Sequence, residues 1–333
     1  GSGWRALYYV RVAKALPEIF CIDAMYCRTQ EKADLIAGQY QIHTTTSIEE
    51  CVAYKPDFAV VAVKKDAICD VSMEWLDRGI TVLSETPAAL DTDSLNKLYS
   101  YYKCGKKQVV AEQYREYPNI KASLKLINEG IIGDVSCVNV SLAHEYHGIS
   151  LIRAFLGVNP GEKYTVSAKT YEFPTTQTLT RYDKFTDGRI AGKKRCVATF
   201  EFESEKVAWY DFDYRSPIRK NTLKVQGVRG ELIDECVYYL DENNEGQTGR
   251  IITDSHVINT GNSNPNFEKI REIKKISFNN KIIYKPEFGL CGLSEDETAI
   301  AMMMKNTAEY SRGNASAPYS MEDALADAYA AIL

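Results

Sequence analysis

Apolar residues recur at the spacing of one helix face from Trp4 to Leu16 (Leu7, Val10, Ala13, Leu16), and Pro17 ends the pattern. Phe20 to Tyr26 then reads as a strand, and Thr29 is placed to cap a helix running to about Tyr40. Ser47-Ile48-Glu49-Glu50 has the S-x-x-E spacing of a capping box and predicts a short helix. Phe58 to Val63 is a continuous apolar run, as expected of a parallel strand covered on both faces. A helix from about Ala67 stops at Gly79, Thr81 to Ser84 is a strand, Asp91 to Cys104 is a helix closed by Gly105, and Gln108 to Ala111 is a further strand. Strand and helix alternate with short connections, which predicts a Rossmann-type, doubly wound parallel sheet over residues 1–117.

After Pro118 the pattern changes. One amphipathic helix, Ile120 to Glu129, is followed by strands at Val135 to Leu142, Tyr164 to Thr170, Arg195 to Phe202, Val207 to Tyr214, Thr222 to Gln226, Glu231 to Asp234 and Lys281 to Tyr284. Several alternate apolar and polar residues, as an antiparallel sheet with one covered face does. The stretch from Glu242 to Lys275 is polar and irregular and reads as a long surface excursion. Helices at Glu295 to Tyr310 and Met321 to Ala331 close the chain. Residues 118–333 are expected to form an α+β domain built on a large, mostly antiparallel open sheet.

Composition narrows the class of function. A chain of 333 residues accommodates two domains with a core each. No apolar run approaches the roughly 20 residues of a membrane span, and a net charge of −5 with no basic stripe argues against nucleic acid as a partner. The nine cysteines are scattered with no C-x-x-C pair, and Cys21, Cys51, Cys69, Cys137 and Cys196 lie in apolar or periodic stretches. They read as reduced thiols of a cytoplasmic protein, with no zinc site and no metal.

The candidate chemistry begins at Gly1-Ser2-Gly3-Trp4-Arg5-Ala6, which is G-x-G-x-x-A. The first glycine permits a tight strand-to-helix turn, the second lets backbone approach a pyrophosphate, and the small third residue lets helix and strand pack closely. The helix N-terminus adds free N–H groups and partial positive charge. A leading Gly-Ser-Gly also reads as a tag remnant. Its place one helix upstream of a strand favours the native turn, and then the first strand of the sheet is missing from the sequence given. The strand end that holds the ribose 2′-hydroxyl of NAD with an Asp or Glu reads Tyr26-Cys27-Arg28-Thr29 here. Arg28 and Thr29 suit a 2′-phosphate, which leans the cofactor towards NADP over NAD, although an arginine here also stacks on adenine.

Taken together, G-S-G-W-R-A at 1–6, V-L-S-E-T-P at 82–87, E-Q-Y-R-E-Y-P at 112–118, I-N-E-G-I-I-G-D at 127–134, H-G-I-S-L-I-R-A-F-L-G at 147–157, V-Q-G-V-R-G-E-L at 225–232 and P-Y-S-M-E-D-A-L-A-D-A at 318–328 resemble the glucose–fructose oxidoreductase / inositol dehydrogenase / MocA family (Gfo/Idh/MocA). The resemblance covers essentially the whole chain. It implies a nicotinamide-dependent oxidoreductase acting on a sugar, cyclitol or related polyol, and a homodimer or homotetramer formed through the second-domain sheet. It also implies that Lys64, Glu85 and Gln113 meet the cofactor.

Two departures matter. The family's E-K-P triplet is Glu85-Thr86-Pro87, and the aspartate expected four residues before the family histidine is Ala143. Lysine can handle a proton when its pKa is shifted, whereas threonine only hydrogen-bonds. The histidine matches His147, which therefore carries the acid/base assignment beside Thr86. His144, Glu145 and Tyr146 share its polar neighbourhood and either line the substrate pocket or merely cap the strand-to-helix junction. Metal binding by His144, Glu145 and His147 lacks the spacing of a zinc helix. Glu112, Gln113, Tyr114 and Arg115 follow a Rossmann strand, and they either line the pocket or form a hinge. Lys64 and Lys65 follow the strand at Phe58–Val63 and either replace the lost cation, bind a phosphate or acidic sugar, or are solvated. The basic turn Tyr214-Arg215-Ser216-Pro217-Ile218-Arg219-Lys220 either favours an anionic substrate or is a solvated loop. Three functions are compatible with this pattern: a sugar or polyol oxidoreductase, a glycoside-cleaving relative that uses NAD without net redox change, and a nucleotide-binding sensor with little or no turnover.

Overall fold

A computed structural model describes residues 1–180, 183–213, 221–260 and 268–333. The basic turn Tyr214–Lys220 lies outside the described residues. The chain divides into two compact units, Gly1–Glu116 with Asp296–Ile332 and Tyr117–Glu295 with Leu333.

In the first unit α1 (Ala6–Ala15), β1 (Met25–Tyr26), α2 (Gln30–Tyr40), β2 (Thr44–Thr45), α3 (Ile48–Ala53), β3 (Ala59–Val61), α4 (Ile68–Asp77), β4 (Val82–Ser84), α5 (Thr92–Lys103) and β5 (Gln108–Val110) alternate as the sequence pattern requires. β1 pairs with β2, and β3-β4-β5 form a second sheet, all in parallel. The strand expected from Phe20 is regular only at Met25 and Tyr26. The helix starts are set by local chemistry. Thr29 caps α2 by accepting from Lys32 N–H (3.3 Å), and Asp91 caps α5 by accepting from Ser94 N–H (2.8 Å). Ser47 accepts from Glu50 N–H (3.1 Å) but the capping box closes differently, because the Glu50 carboxylate bonds Thr45 and His43 instead of Ser47 N–H. Val10, Met25, Cys27, Ala33 and Ile36 form one core cluster, and Cys51, Val61, Trp75, Leu76 and Val82 another. Each large side chain buried this way contributes roughly 1.5–3 kcal/mol.

In the second unit α6 (Pro118–Asn128), β6 (Val135–Val140) and α7 (Glu145–Leu156) precede nine further strands. These are β7 (Tyr164–Thr176), β8 (Ile190–Phe202), β9 (Val207–Asp213), β10 (Leu223–Gly227), β11 (Gly230–Ile233), β12 (Cys236–Leu240), β13 (Gly246–Asn259), β14 (Lys269–Phe278) and β15 (Lys281–Tyr284). One sheet runs in the order β15-β14-β13-β12-β11-β10-β6-β9-β8-β7, with only the β6–β9 pair parallel. Helices α6 and α7 pack on the face that buries Val138, Val140, Phe200, Tyr210, Val225 and Leu232. The cross-strand register puts Val197, Trp209, Tyr238, Ile252 and Ile282 together on the opposite face, where all five are exposed.

The polar excursion expected from Glu242 to Lys275 is instead largely β13 and β14. A bulge hides these strands. Asp254 pairs with Lys275 and Ser255 with Ile273, leaving Lys274 without a cross-strand partner. Ile273, Ile276 and Phe278 therefore share a face at three- and two-residue intervals, which no strict alternation reveals.

The closing helices α8 (Glu295–Arg312) and α9 (Met321–Ile332) pack within the first unit from Asp296 onward, not with residues 118–295 as the pattern suggested. Charge pairing explains the placement. Arg11 meets the fully buried Glu297 at 2.8 Å, Lys107 donates to the last α8 carbonyls at Tyr310 (3.1 Å) and Ser311 (3.0 Å), and Arg312 grips Asp57 (2.7 Å). Arg11→Met keeps the aliphatic stem and takes the arginine from a buried carboxylate. It should cost about 2 kcal/mol of stability, read as a lower urea midpoint. An unchanged midpoint would mean that the pair does not anchor α8.

Candidate functional site

The parallel strands of the first unit end on a common edge. Glu85 N–H donates to Val61 C=O (3.0 Å) and Ala111 N–H to Ser84 C=O (2.8 Å), so hydrogen bonding carries one residue past each strand. That edge brings together Lys64 and Lys65 after β3, Glu85 and Thr86 after β4, and Glu112 and Gln113 after β5. The Thr86–Pro87 peptide is cis.

The glycine turn meets the same edge. A Cβ on Gly1 would lie 2.0 Å from the Ala62 carbonyl oxygen, so only glycine fits there. A Cβ on Gly3 would meet no protein atom within 4 Å. Gly1 is thus fixed by backbone contact, while Gly3 faces free space. No side chain caps the start of α1. A turn with an uncapped helix N-terminus and open space at the second glycine has the form of a pyrophosphate cradle, and Gly1, Ser2 and Gly3 are the residues that would hold a dinucleotide there.

The side chains of Arg5 and Glu85 have another occupation. Arg5 Nε donates to Glu85 Oε1 (2.8 Å), and Arg5 Nη1 to Asp296 Oδ2 (2.8 Å). The Tyr9 hydroxyl donates to the same Glu85 oxygen (2.6 Å). Burial works against the Arg5 charge, but Glu85 and Asp296 outweigh it and raise its pKa well above the ordinary value. Burial, and then Glu85, raise the Tyr9 phenol, which stays protonated. Turned so that its oxygen faces Arg5 Nη2, the Gln113 carboxamide accepts at 2.9 Å and donates to Ala111 C=O. Trp4 packs edge-on to Tyr8 with centroids 4.8 Å apart. Arg5, Glu85 and Gln113 thus brace the turn with their side chains. Sequence reasoning missed Tyr9 and Asp296. Tyr9 lies four residues from Arg5 on one helix face and was within reach of that signal. Asp296, 291 residues away, had none.

The remaining candidates of this unit divide by exposure. Arg28, Thr29, Lys64 and Lys65 are exposed, with Arg28 and Thr29 just past the end of β1. Glu112 is buried and accepts from Tyr114 N–H (3.2 Å). Arg115 stands over the Tyr319 ring (4.8 Å) and 3.6 Å from the fully buried Asp327, which also accepts from the Tyr319 hydroxyl. Arg115 therefore tethers α9, a structural task that its polar surroundings in sequence did not reveal.

The other candidates belong to the second unit. His144 is the N-cap of α7, and His147 follows one turn later, 5% exposed, with ring centroids 4.9 Å apart and near-perpendicular planes. Tyr146 is buried edge-on to His147 (5.7 Å), and Glu145 is exposed at φ +39. Ala143, where a carboxylate was expected, is fully buried. Among the described residues no cluster of three or more His, Cys, Asp or Glu could hold a metal ion, and no helix is long and apolar enough to cross a membrane.

Residues 1–113 match the oxidoreductase family with an NAD-binding Rossmann fold, Gfo/Idh/MocA. No curated protein matches the chain in sequence. Among solved structures it is similar to a levoglucosan dehydrogenase in complex with NADH and levoglucosan (17% identity, TM-score 0.65, covering 99% of this chain and 93% of that one). It is also similar to an oxidoreductase from Agrobacterium radiobacter in complex with NAD+, L-tartaric acid and magnesium (13%, 0.65, 99% and 92%). A third is UDP-N-acetylglucosamine 3-dehydrogenase from Acidithiobacillus ferrooxidans (11%, 0.62, 100% and 93%). At these identities the likeness is one of fold.

The two glycines should respond oppositely to one methyl group. Gly1→Ala should destabilise the unit by about 1–3 kcal/mol through its clash with Ala62. Gly3→Ala should leave the urea midpoint unchanged within about 0.5 kcal/mol. Equal losses for both would show that the space at Gly3 is not free.

Proposed function

We propose, from the match of residues 1–113 to the Gfo/Idh/MocA oxidoreductases, that the chain transfers a hydride between NAD(P) and a hydroxyl or carbonyl of a sugar, cyclitol or related polyol. The observation that carries this reading is the pair of glycines at the strand edge, one locked against Ala62 and one facing free space. Dehydrogenases of levoglucosan and of UDP-N-acetylglucosamine among the structural relatives support the substrate class.

The dinucleotide supplies the nicotinamide carbon that takes or gives the hydride. With a dinucleotide bound to supply that hydride chemistry, His147 would take the substrate hydroxyl proton in the oxidative direction and return it in the reductive one. His147 is the natural proton carrier near neutral pH, and its burial keeps bulk water from competing. Thr86 stands where the family lysine would, and can orient a hydroxyl but not take its proton. His144, Glu145 and Tyr146 in the second unit, and Tyr114 and Lys65 in the first, are the residues we assign to substrate binding. Glu112 and Arg115 act from behind, through the bonds that already occupy them.

We assign NADP as the preferred cofactor. Arg28 is exposed and free of ion pairs among the described residues, and no acid stands at the end of β1 to hold a 2′-hydroxyl. A free guanidinium there recognises a 2′-phosphate, with the exposed Lys64 near the phosphates. The nine free cysteines fit a cytoplasmic protein, and the apolar open sheet face suits association with a second copy.

Fluorescence titration should show NADPH binding at least tenfold tighter than NADH, with Arg28→Ala erasing most of the difference, about 1.4 kcal/mol. Gly3→Ala should weaken both. Binding of neither dinucleotide would sink the reading. On a panel of sugars and cyclitols, His147→Ala should lower turnover by about 10²–10⁴, and turnover unaffected by it would remove the proton-transfer assignment. Tight dinucleotide binding with no turnover on any panel member would favour the sensor reading that Thr86 and Ala143 motivate.

A further inference from the structure

Three features around the first turn of α7 point to a residue on the neighbouring strand. The first is the N-cap. His144 stands in extended conformation at the helix start and makes no side-chain cap hydrogen bond. The first-turn N–H groups of a helix need partners from outside it. Glu145 N–H finds one in the Tyr210 hydroxyl of β9, 2.6 Å away. The phenol of a packed strand does the work usually done by Ser, Thr, Asp or Asn.

The second is backbone strain. Glu145 sits at φ +39, in the left-handed region that a residue with a Cβ rarely adopts. Such a conformation persists only where its surroundings over-determine it. Here the short bond from Glu145 N–H to the Tyr210 hydroxyl is one such constraint.

The third is Gly148. A Cβ there would lie 2.4 Å from Cε2 of Tyr210 and 2.9 Å from the Ala143 carbonyl oxygen. The absence of a side chain on Gly148 is therefore what lets the Tyr210 ring seat against the helix. Tyr210 itself is 5% exposed, and burial pushes its phenol well above the ordinary value, so it stays neutral.

His147 lies between these contacts. Its backbone N–H donates to the His144 carbonyl (3.0 Å), and its neighbours at 145 and 148 are each held by Tyr210. We infer that Tyr210 is a positioning residue for His147: its hydroxyl fixes Glu145 and its ring fixes Gly148, so that one side chain sets where the imidazole stands. This rests on the reading of His147 as the acid/base group only for its catalytic consequence; the placement itself is a property of the apo protein. The chain keeps no carboxylate at Ala143 to orient the imidazole from the preceding strand, and the geometry gives that task to a neutral phenol acting through the backbone. Among the described residues, ionisable groups near the pair include His144, Glu145, Tyr146, Asp211 and Cys196.

The test uses the full chain labelled with 13C-histidine, without cofactor. With four histidines the imidazole signals are assignable by single substitution. Tyr210→Phe keeps the ring and removes only the hydroxyl. It should move the His147 13Cε1–1H signal, while the His43 and His256 signals stay put. Gly148→Ala, which keeps the hydroxyl but displaces the ring that carries it, should move the same signal. His147 signals that overlay the wild type in both variants would overturn the proposal. A second arm measures NADPH- or NADH-linked turnover on the sugar and cyclitol panel. Tyr210→Phe should lower kcat about tenfold and shift the pH profile of kcat, with KM for the dinucleotide unchanged. Adding Tyr210→Phe to His147→Ala should produce no further loss. If the His147 signal moves but His147→Ala keeps full turnover, the positioning stands and the acid/base reading of His147 fails.

Discussion

The first unit hangs on the burial of one guanidinium. Arg5 lies within the glycine turn, one residue before α1, where a long charged side chain has no natural reason to point inward. It does so because Glu85 and Asp296 each meet it at 2.8 Å, one from the end of β4 and one from the first turn of α8. A charge taken from water this way is tolerable only with several partners, and the partners come from segments 80 and 291 residues away. The requirement explains why the unit is discontinuous in sequence. Without the returning α8, Arg5 would keep Glu85 and lose half of its neutralisation. With it, the start of α1, the end of β4 and the start of α8 become one cross-braced object, and the turn that faces free space at Gly3 is rigid behind.

What the sequence showed, it showed through local chemistry. Thr29 and Asp91 cap their helices by bonds spanning three residues, and such signals survive translation into structure because no distant partner alters them. Continuous apolar runs marked the parallel strands for the same reason. Long-range pairing left no such trace. β13 and β14 exist because each pairs with the other, and their bulge at Lys274 scrambles the alternation that would have announced them. The last two helices were legible as helices but not as members of the first unit, since amphipathicity says that a face is buried and not against what.

The site divides along the same line. The glycine turn was readable because its G-x-G-x-x-A spacing is a local signal, although the contact that fixes Gly1 comes from Ala62. The side chains of Arg5, Glu85, Gln113 and Arg115 were read as facing a ligand, since charged residues at strand ends usually serve function. In three of these the charge or amide is already spent on internal partners, and in Arg115 on Asp327 and Tyr319. Position along the chain located the edge correctly. It could not say which groups on that edge remain available, because availability is decided by residues far off in sequence. The exposed Arg28, Lys64 and Lys65 are the groups that long-range pairing left unclaimed.

Replacing a lysine by Thr86 changes more than one contact. A cation at that position would lower the cost of an oxyanion forming on the substrate and could itself carry the proton. A hydroxyl does neither, so under the proposed reading the proton transfer falls on the imidazole of His147, which acts only when it is well placed. Orientation by a carboxylate is absent at Ala143, which is fully buried and apolar. The backbone on either side of this buried ring is held as well. The left-handed Glu145, the side-chain-free Gly148 and the neutral Tyr210 do this without bringing a further charge to the site. Under the proposed reading, a chain without the lysine and the aspartate still has the backbone around His147 as a means of placing the imidazole.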